Sequence, residues 1–159
     1  MEKIFAPWRV EYFGKKREGC LFCETNKENK YEENLILFRG EKNFIIMNRY
    51  PYSNGHLMVA PFRHVTDLEE LTDEEKKEHF EMIIKAKKVL KALNPDSFNI
   101  GMNLGKASGA GFEHIHTHVV PRWKGDTNFM PVIADTRVIP EALKSTYKKL
   151  MEYMNKISE

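Results

Sequence analysis

Three short apolar runs follow one another in the first third of the chain: Leu35-Ile-Leu-Phe38, Phe44-Ile-Ile-Met47 and His56-Leu-Met-Val-Ala60. They are closed in turn by Arg39-Gly40, Asn48-Arg-Tyr-Pro51 and Pro61. Short apolar runs bounded by such residues predict strands, and connections this brief suit antiparallel neighbours. The period then changes. Thr72-Asp-Glu-Glu75 has the form of a capping box, after which Phe80, Ile83, Ala86, Leu90 and Leu93 fall at helical spacing and predict one buried face. Lysines between 85 and 91 fill the opposite, solvated face, and Asn94-Pro95 stops the helix. Phe98-Asn-Ile-Gly-Met102 and Ile115-Thr-His-Val-Val120 predict two further strands, the last ended by Pro121. Pro140 can open a final helix with Leu143, Tyr147, Leu150 and Met154 on one face. The polar stretch 24–34 reads as a loop, and residues 1–19 as a mixed segment with two aromatic clusters. The expectation is one α+β domain spanning 1–159, with a five-stranded antiparallel sheet and two main helices.

Composition narrows the class. A chain of 159 residues fits one domain. Its 42% hydrophobic content supplies a core, and its 30% charged content excludes a membrane protein. No apolar run is long enough to span a bilayer. With 25 basic and 23 acidic residues the net charge of +2 gives no ground for nucleic-acid binding. The start, MEKIFAPWRVEYF, has no apolar h-region and no small-residue cleavage site, which predicts a cytoplasmic protein. Two cysteines, as Cys20-Leu-Phe-Cys23, make no disulfide framework and point to metal or redox chemistry in a reducing compartment.

The sharpest chemical feature is His114-Ile-His116-Thr-His118-Val-Val120-Pro121. On a strand, residues i, i+2 and i+4 share a face. Three imidazoles then stand in a row at roughly 6–7 Å steps. All three chelating one ion would demand an unusually stretched trio. The alternative is a division of roles, with one ligand and one nucleophile. A histidine nucleophile must be neutral, with its second ring N–H fixed on an acceptor. Upstream, Asn103-Leu-Gly105-Lys-Ala-Ser108-Gly109-Ala-Gly111 is rich in glycine, which lets backbone N–H groups approach phosphate oxygens. It lacks the GK[ST] of a Walker loop.

These residues resemble the histidine triad (HIT) superfamily, whose signature is His-φ-His-φ-His-φ-φ with φ apolar. The similarity extends to Asn54-Gly-His56-Leu-Met-Val-Ala-Pro61 and Phe98-Asn-Ile-Gly-Met-Asn103. Within the superfamily the chain is most similar to bacterial members of the diadenosine tetraphosphate phosphorylase type. The residues for that are Ala6-Pro-Trp-Arg9, Pro51-Tyr52, Pro121-Arg-Trp123 and Gly125-Asp-Thr-Asn-Phe-Met130. The resemblance implies that His116 is the nucleophile that forms a nucleotidyl-histidine on the α-phosphorus. It implies that His118 and His56 help hold the phosphate, and that Asn48, Asn103, Gly105, Ser108 and Gly109 contact nucleotide or phosphate. It also implies a homodimer with a continuous sheet, and a dinucleoside polyphosphate and inorganic phosphate as substrates. A hydrolase, a phosphoramidase and a nucleotide-binding regulatory module are the alternatives. Two positions depart from the pattern: Thr117 is usually apolar, and Ala110 stands where many hydrolases of the superfamily carry Gln.

A tetrahedral zinc needs four ligands. His64 and His114 are the candidates to join Cys20 and Cys23, and zinc-bearing relatives look similar there. The alternative is a pair of free thiols; a redox CxxC should open a helix in a βαβ unit, which the polar loop does not suggest. Trp8 and Trp123 read as packing residues, Arg122 as a surface charge, and His79 as a structural residue of its helix.

Overall fold

A computed structural model describes residues 19–27, 30–109, 113–126, 139 and 141–158. In chain order the elements are α1 (Leu21–Lys27), β1 (Ile36–Arg39), β2 (Asn43–Met47), β3 (Leu57–Pro61), α2 (Asp73–Leu90), β4 (Ser97–Met102), β5 (Thr117–Arg122) and α3 (Leu143–Ser158). The five strands form one sheet in the order β1-β2-β3-β5-β4, antiparallel at every step. The α+β architecture expected from the periodicities is therefore present.

Each side of the sheet has its own core, which is why β2 and β3 are apolar without alternation. Ile45, Met47, Leu57, Val59 and Val119 face α2 and α3, where they meet Met82, Ile83, Ala86, Val89, Leu90, Tyr147, Leu150 and Met154. Phe44, Ile46, Met58 and Ala60 face the other way and pack under Phe22 of α1. The helix signals act as read. The Glu75 N–H donates to Thr72 Oγ1 at 3.2 Å, and the Thr72 N–H donates to Glu75 Oε2 at 2.8 Å. At the other end a short 3-10 turn follows Leu90, and Asn94 closes it with a left-handed φ of 50°.

Four local expectations need correction. Residues 21–27, partly read as loop, are helical. Seven residues are too few to display a period, and α1 is held by burial of Phe22 and Thr25. The CxxC motif thus does open a short helix, although no βαβ unit surrounds it. Phe80, expected in the core, is 67% exposed, because the buried stripe of α2 runs through His79, Met82 and Ile83 instead. Pro61 ends β3 as expected, whereas Pro121 lies inside β5. Pro121 is beyond Val119, the last residue of β5 that pairs with β3, so it occupies a stretch with only β4 as neighbour. Trp8, Ala110, Gly111 and Pro140 lie outside the described residues.

The turn that delivers His56 depends on Gly55. Its φ is +73°, and a Cβ there would stand 2.5 Å from Leu93 Cδ1 and 3.1 Å from Leu90 Cδ2. Gly55→Ala combines left-handed strain with overpacking, so it is expected to lower stability by about 1–3 kcal/mol in denaturant unfolding.

Candidate functional site

The two neighbours of β5 stop at Thr117, so His116 and His114 lie on the run-in to the strand. Their rings are nonetheless buried, at 4% and 1% exposure. The structure separates the three imidazoles by their partners. His114 turns Nδ1 to the cysteines, 3.3 Å from Cys20 Sγ and 3.6 Å from Cys23 Sγ. His116 donates its Nδ1–H to the His114 carbonyl at 2.8 Å. His118 meets His56, Nδ1 to Nε2, at 2.9 Å. The trio does not close on one ion.

These bonds fix where the protons sit. A carbonyl only accepts, so His116 carries its proton on Nδ1 and leaves Nε2 bare. At His56 the Tyr52 N–H donates to Nδ1 at 3.1 Å, and Asn48 Nδ2 approaches the same atom at 3.3 Å. Nδ1 of His56 is then an acceptor, its Nε2–H donates to His118 Nδ1, and His118 must carry its remaining proton on Nε2. A bare nitrogen on His116 and an N–H on His118 therefore belong to rings 4.8 Å apart. Burial lowers the pKa of His116, against the pull of its carbonyl bond. Burial, then the charge His116 would carry, brings His118 down to about 4. Both rings are neutral at pH 7.

Asn48 accepts the Tyr50 N–H at 2.9 Å and turns its amide to His56, so its bonds serve that ring. Asn103 is half-buried beyond the end of β4. Gly105, Ser108 and Gly109 lie in an exposed loop around a 3-10 turn. Gly105 and Gly109 have φ of 74° and 84°, and the Ser108 hydroxyl donates to the Gly105 carbonyl at 2.7 Å. Lys106 pairs with Glu113 at 3.4 Å. Arg122 is held by Asp126 at 2.6 and 2.8 Å, and Trp123 donates to the carbonyls of Leu93 and Asn94.

Cys20, Cys23, His64 and His114 converge, with their ligand atoms all within 4.8 Å of one another. A tetrahedral ion with nitrogen and sulfur donors at about 2.1–2.3 Å would hold its ligands about 3.6 Å apart. Cys23 Sγ to His64 Nδ1 is 3.4 Å. The donor set fits in protonation too. His114 donates Nε2–H to the Pro61 carbonyl at 2.9 Å, which keeps Nδ1 bare toward the sulfurs. Burial, then the neighbouring Cys20, pushes the Cys23 thiol up, a pair that a cation would relieve. The cluster can hold a metal ion.

The sequence matches the HIT domain model over residues 29–125. The chain belongs to the HIT domain family. Among its relatives, an AP-4-A phosphorylase of Mycobacterium tuberculosis is 46% identical over 94% of this chain and 83% of its own length. A bis(5'-nucleosyl)-tetraphosphatase (asymmetrical) of Schizosaccharomyces pombe is 32% identical over 57% of this chain and 50% of its own. A Zn-bound histidine triad family protein from Mycobacterium smegmatis superposes with a TM-score of 0.71 at 25% identity, covering 88% of this chain and 96% of its own. The HIT fold and the triad resemblance are thereby shown.

Two supporting roles escaped the sequence reading, in which Tyr52 figures only as part of the Pro51-Tyr52 resemblance. Tyr52 fixes His56 through its N–H, and its ring lies 4.7 Å from His56 and 5.6 Å from His118. Its place four residues before His56 was the available signal. Phe22, inside the CxxC, rests on both His114 and His116 at 5.2 and 4.9 Å. No pattern announces an aromatic whose partners are about ninety residues away.

Folding here favours neutral imidazoles. His118 and His79 each have pKa values near 4 when folded, against 6.5 when free. Between those values the unfolded chain binds more protons, so stability rises with pH. Acidification from pH 7 to 4.5 is expected to lower the unfolding free energy by more than about 1.4 kcal/mol, read from denaturant midpoints across that range.

Proposed function

We propose that the protein is a nucleotidyltransferase that phosphorolyses dinucleoside polyphosphates, with His116 as the nucleophile. The observation that carries this reading is the 2.8 Å bond from His116 Nδ1–H to the His114 carbonyl, which leaves Nε2 bare beside the N–H of His118. Nε2 attacks the α-phosphorus, a P–N bond forms, and the P–O bond to the β-phosphate breaks. With diadenosine tetraphosphate the departing half is ATP. Inorganic phosphate then attacks the nucleotidyl-histidine, a P–O bond forms as P–N breaks, and ADP leaves. His118 donates to the phosphate oxygens, and His56 holds it in that tautomer. The loop from Asn103 to Gly109 cradles the phosphates. The name of the M. tuberculosis relative favours phosphate as acceptor. The tetraphosphatase relative supports water as the alternative, giving AMP and ATP.

Within the same reading the Cys20, Cys23, His64 and His114 cluster holds one structural zinc, supported by the donor set and by the Zn-bound M. smegmatis relative. Bound there, zinc cross-links α1 to the run-in of β5. We also propose a homodimer. The edge strand β4 carries exposed Ile100, and α2 exposes Phe80 and Ile84, an unpaired edge that proteins usually cover. No helix among the described residues is long and apolar enough to cross a membrane, and we place the enzyme in the cytoplasm, where free thiols persist.

Product analysis tests the reaction. With diadenosine tetraphosphate and millimolar phosphate, chromatography should show ADP plus ATP; without phosphate, only slow formation of AMP plus ATP. His116→Ala should lose at least about 1,000-fold in kcat, since no other group can carry the nucleotidyl. Products indifferent to phosphate would make the protein a hydrolase. Metal analysis should find about one zinc per chain, and chelation should lower Tm more than it lowers kcat of the protein that stays folded.

A further inference from the structure

A second chain of polar groups, buried behind the triad strand, is unused by the proposed reaction. It comprises Asn43, His79 and Thr117, which are 0%, 4% and 2% exposed. His79 Nδ1 lies 2.8 Å from Asn43 Oδ1, and Nε2 lies 2.7 Å from Thr117 Oγ1. The Asn43 amide is oriented independently. Its Nδ2 donates to the Glu75 carbonyl and to Glu78 Oε2, both at 3.1 Å, so Oδ1 must face His79. An amide oxygen only accepts. His79 therefore carries its proton on Nδ1, and its bare Nε2 accepts the Thr117 hydroxyl proton. Every bond in the chain runs one way: Thr117 to His79, His79 to Asn43, Asn43 to Glu78. Glu78 is anchored in turn by the N–H groups of Glu41, Lys42 and Asn43 at 2.6, 2.7 and 2.6 Å. Burial, then the charge His116 would carry, keeps His79 neutral, with a pKa of about 4.

The far end of this chain falls at a telling place. Thr117 is the first residue of β5 to pair with β3, opposite Val59, and the first to pair with β4, opposite Met102. His116 precedes it, outside both of these ladders, where the Ile115 N–H donates to the Val65 carbonyl at 2.8 Å. Alternation puts the Thr117 side chain on the α2 face and those of His116 and His118 on the other. A buried hydroxyl costs stability unless bonded, and a valine would fill the same space without that demand. The hydroxyl is therefore explained by what it orients.

We propose that Thr117 is a positioning residue for His116, held through His79 and Asn43 so that the chain passes from its run-in into β5 at a fixed rotation and the His116 ring is aimed. The inference rests on His116 being the nucleophile. Thr117→Val removes the bond to His79 while keeping the shape, and Thr117→Ser keeps the hydroxyl. Small misplacement at a reacting centre costs up to about 100-fold. T117V is expected to lose about tenfold in kcat with KM within about twofold, and T117S to recover most of it. His79→Gln, which offers Thr117 an acceptor but cannot also span to Asn43, should fall between them. In His79→Leu, adding T117V should cost nothing more. A second readout needs no substrate: in nitrogen-15 NMR the His116 Nδ1–H should exchange with water faster in T117V than in the wild type. If the wild type turns over no dinucleotide, the reaction assignment fails and this exchange rate alone decides the positioning. T117V and H79Q with wild-type kcat and wild-type exchange, whatever their Tm, would overturn the proposal. Should T117V not fold, H79Q with unchanged kcat and exchange overturns it equally.

Discussion

One hydrogen bond organises the site: the His116 ring donating to the carbonyl of His114. It consumes the proton that would otherwise alternate between the two ring nitrogens, so the outward nitrogen of the neutral ring is a lone pair. It also joins two sites. The same residue that supplies the carbonyl supplies the bare Nδ1 of the cysteine cluster, and its Nε2–H is spent on Pro61. Any displacement of His114 thus moves both a ligand of the proposed zinc and the acceptor that orients the proposed nucleophile. Phe22 fills the space between them, resting on both rings from α1, where it stands between the two cysteines in sequence.

Such a bond stays short only if the run-in to β5 cannot drift, and the sheet supplies that rigidity. β5 is an inner strand, with β3 on one side and β4 on the other, and both faces of the sheet are packed. His56 comes from the head of β3, where Met58 faces His118 across the ladder. The two rings are brought to 2.9 Å by register, because a slip by one residue would send His118 to the α2 side. Gly55 and the Asn54 bond to Thr146 of α3 fix the turn that precedes it.

Much of this was legible in the sequence. The capping box and five strand-like runs are local patterns that became the expected elements, whereas the CxxC opens a short helix and only His118 of the triad lies within β5. The Cys20, Cys23, His64 and His114 cluster was legible because thiols and imidazoles have few other reasons to occur in that set. What stayed hidden depends on contacts across the fold. Phe80 obeys helical spacing, yet the helix turns a histidine, His79, to the core, because Asn43 and Thr117 wait there to satisfy it. A single-sequence pattern weighs apolarity and cannot see a partner 36 or 38 residues away. The short α1 was missed for the same reason, being stabilised by Phe22 and by its neighbours rather than by its own seven residues.

The surrounding neutrality also bears on the fate of the proposed intermediate. A ring that keeps Nδ1–H while Nε2 bonds phosphorus is a cation. Positive charge on His116 disfavours charge on His79, His114 and His118 alike; His79, His114 and His116 are buried and His118 is half-buried. The site therefore accommodates one imidazolium at a time, and the His114 carbonyl is the dipole aimed at it. That carbonyl tightens its hold as the charge develops, which stabilises bond formation to phosphorus. Among the described residues no carboxylate is bonded to His116 to trap the cation, so the P–N bond of the proposed intermediate remains an activated one. The acceptor then receives a nucleotidyl group on a leaving ring that regains neutrality as it departs. A neutral, buried, carbonyl-held histidine suits transfer in both directions, and that is the property a phosphorylase needs and a simple phosphate-binding pocket does not.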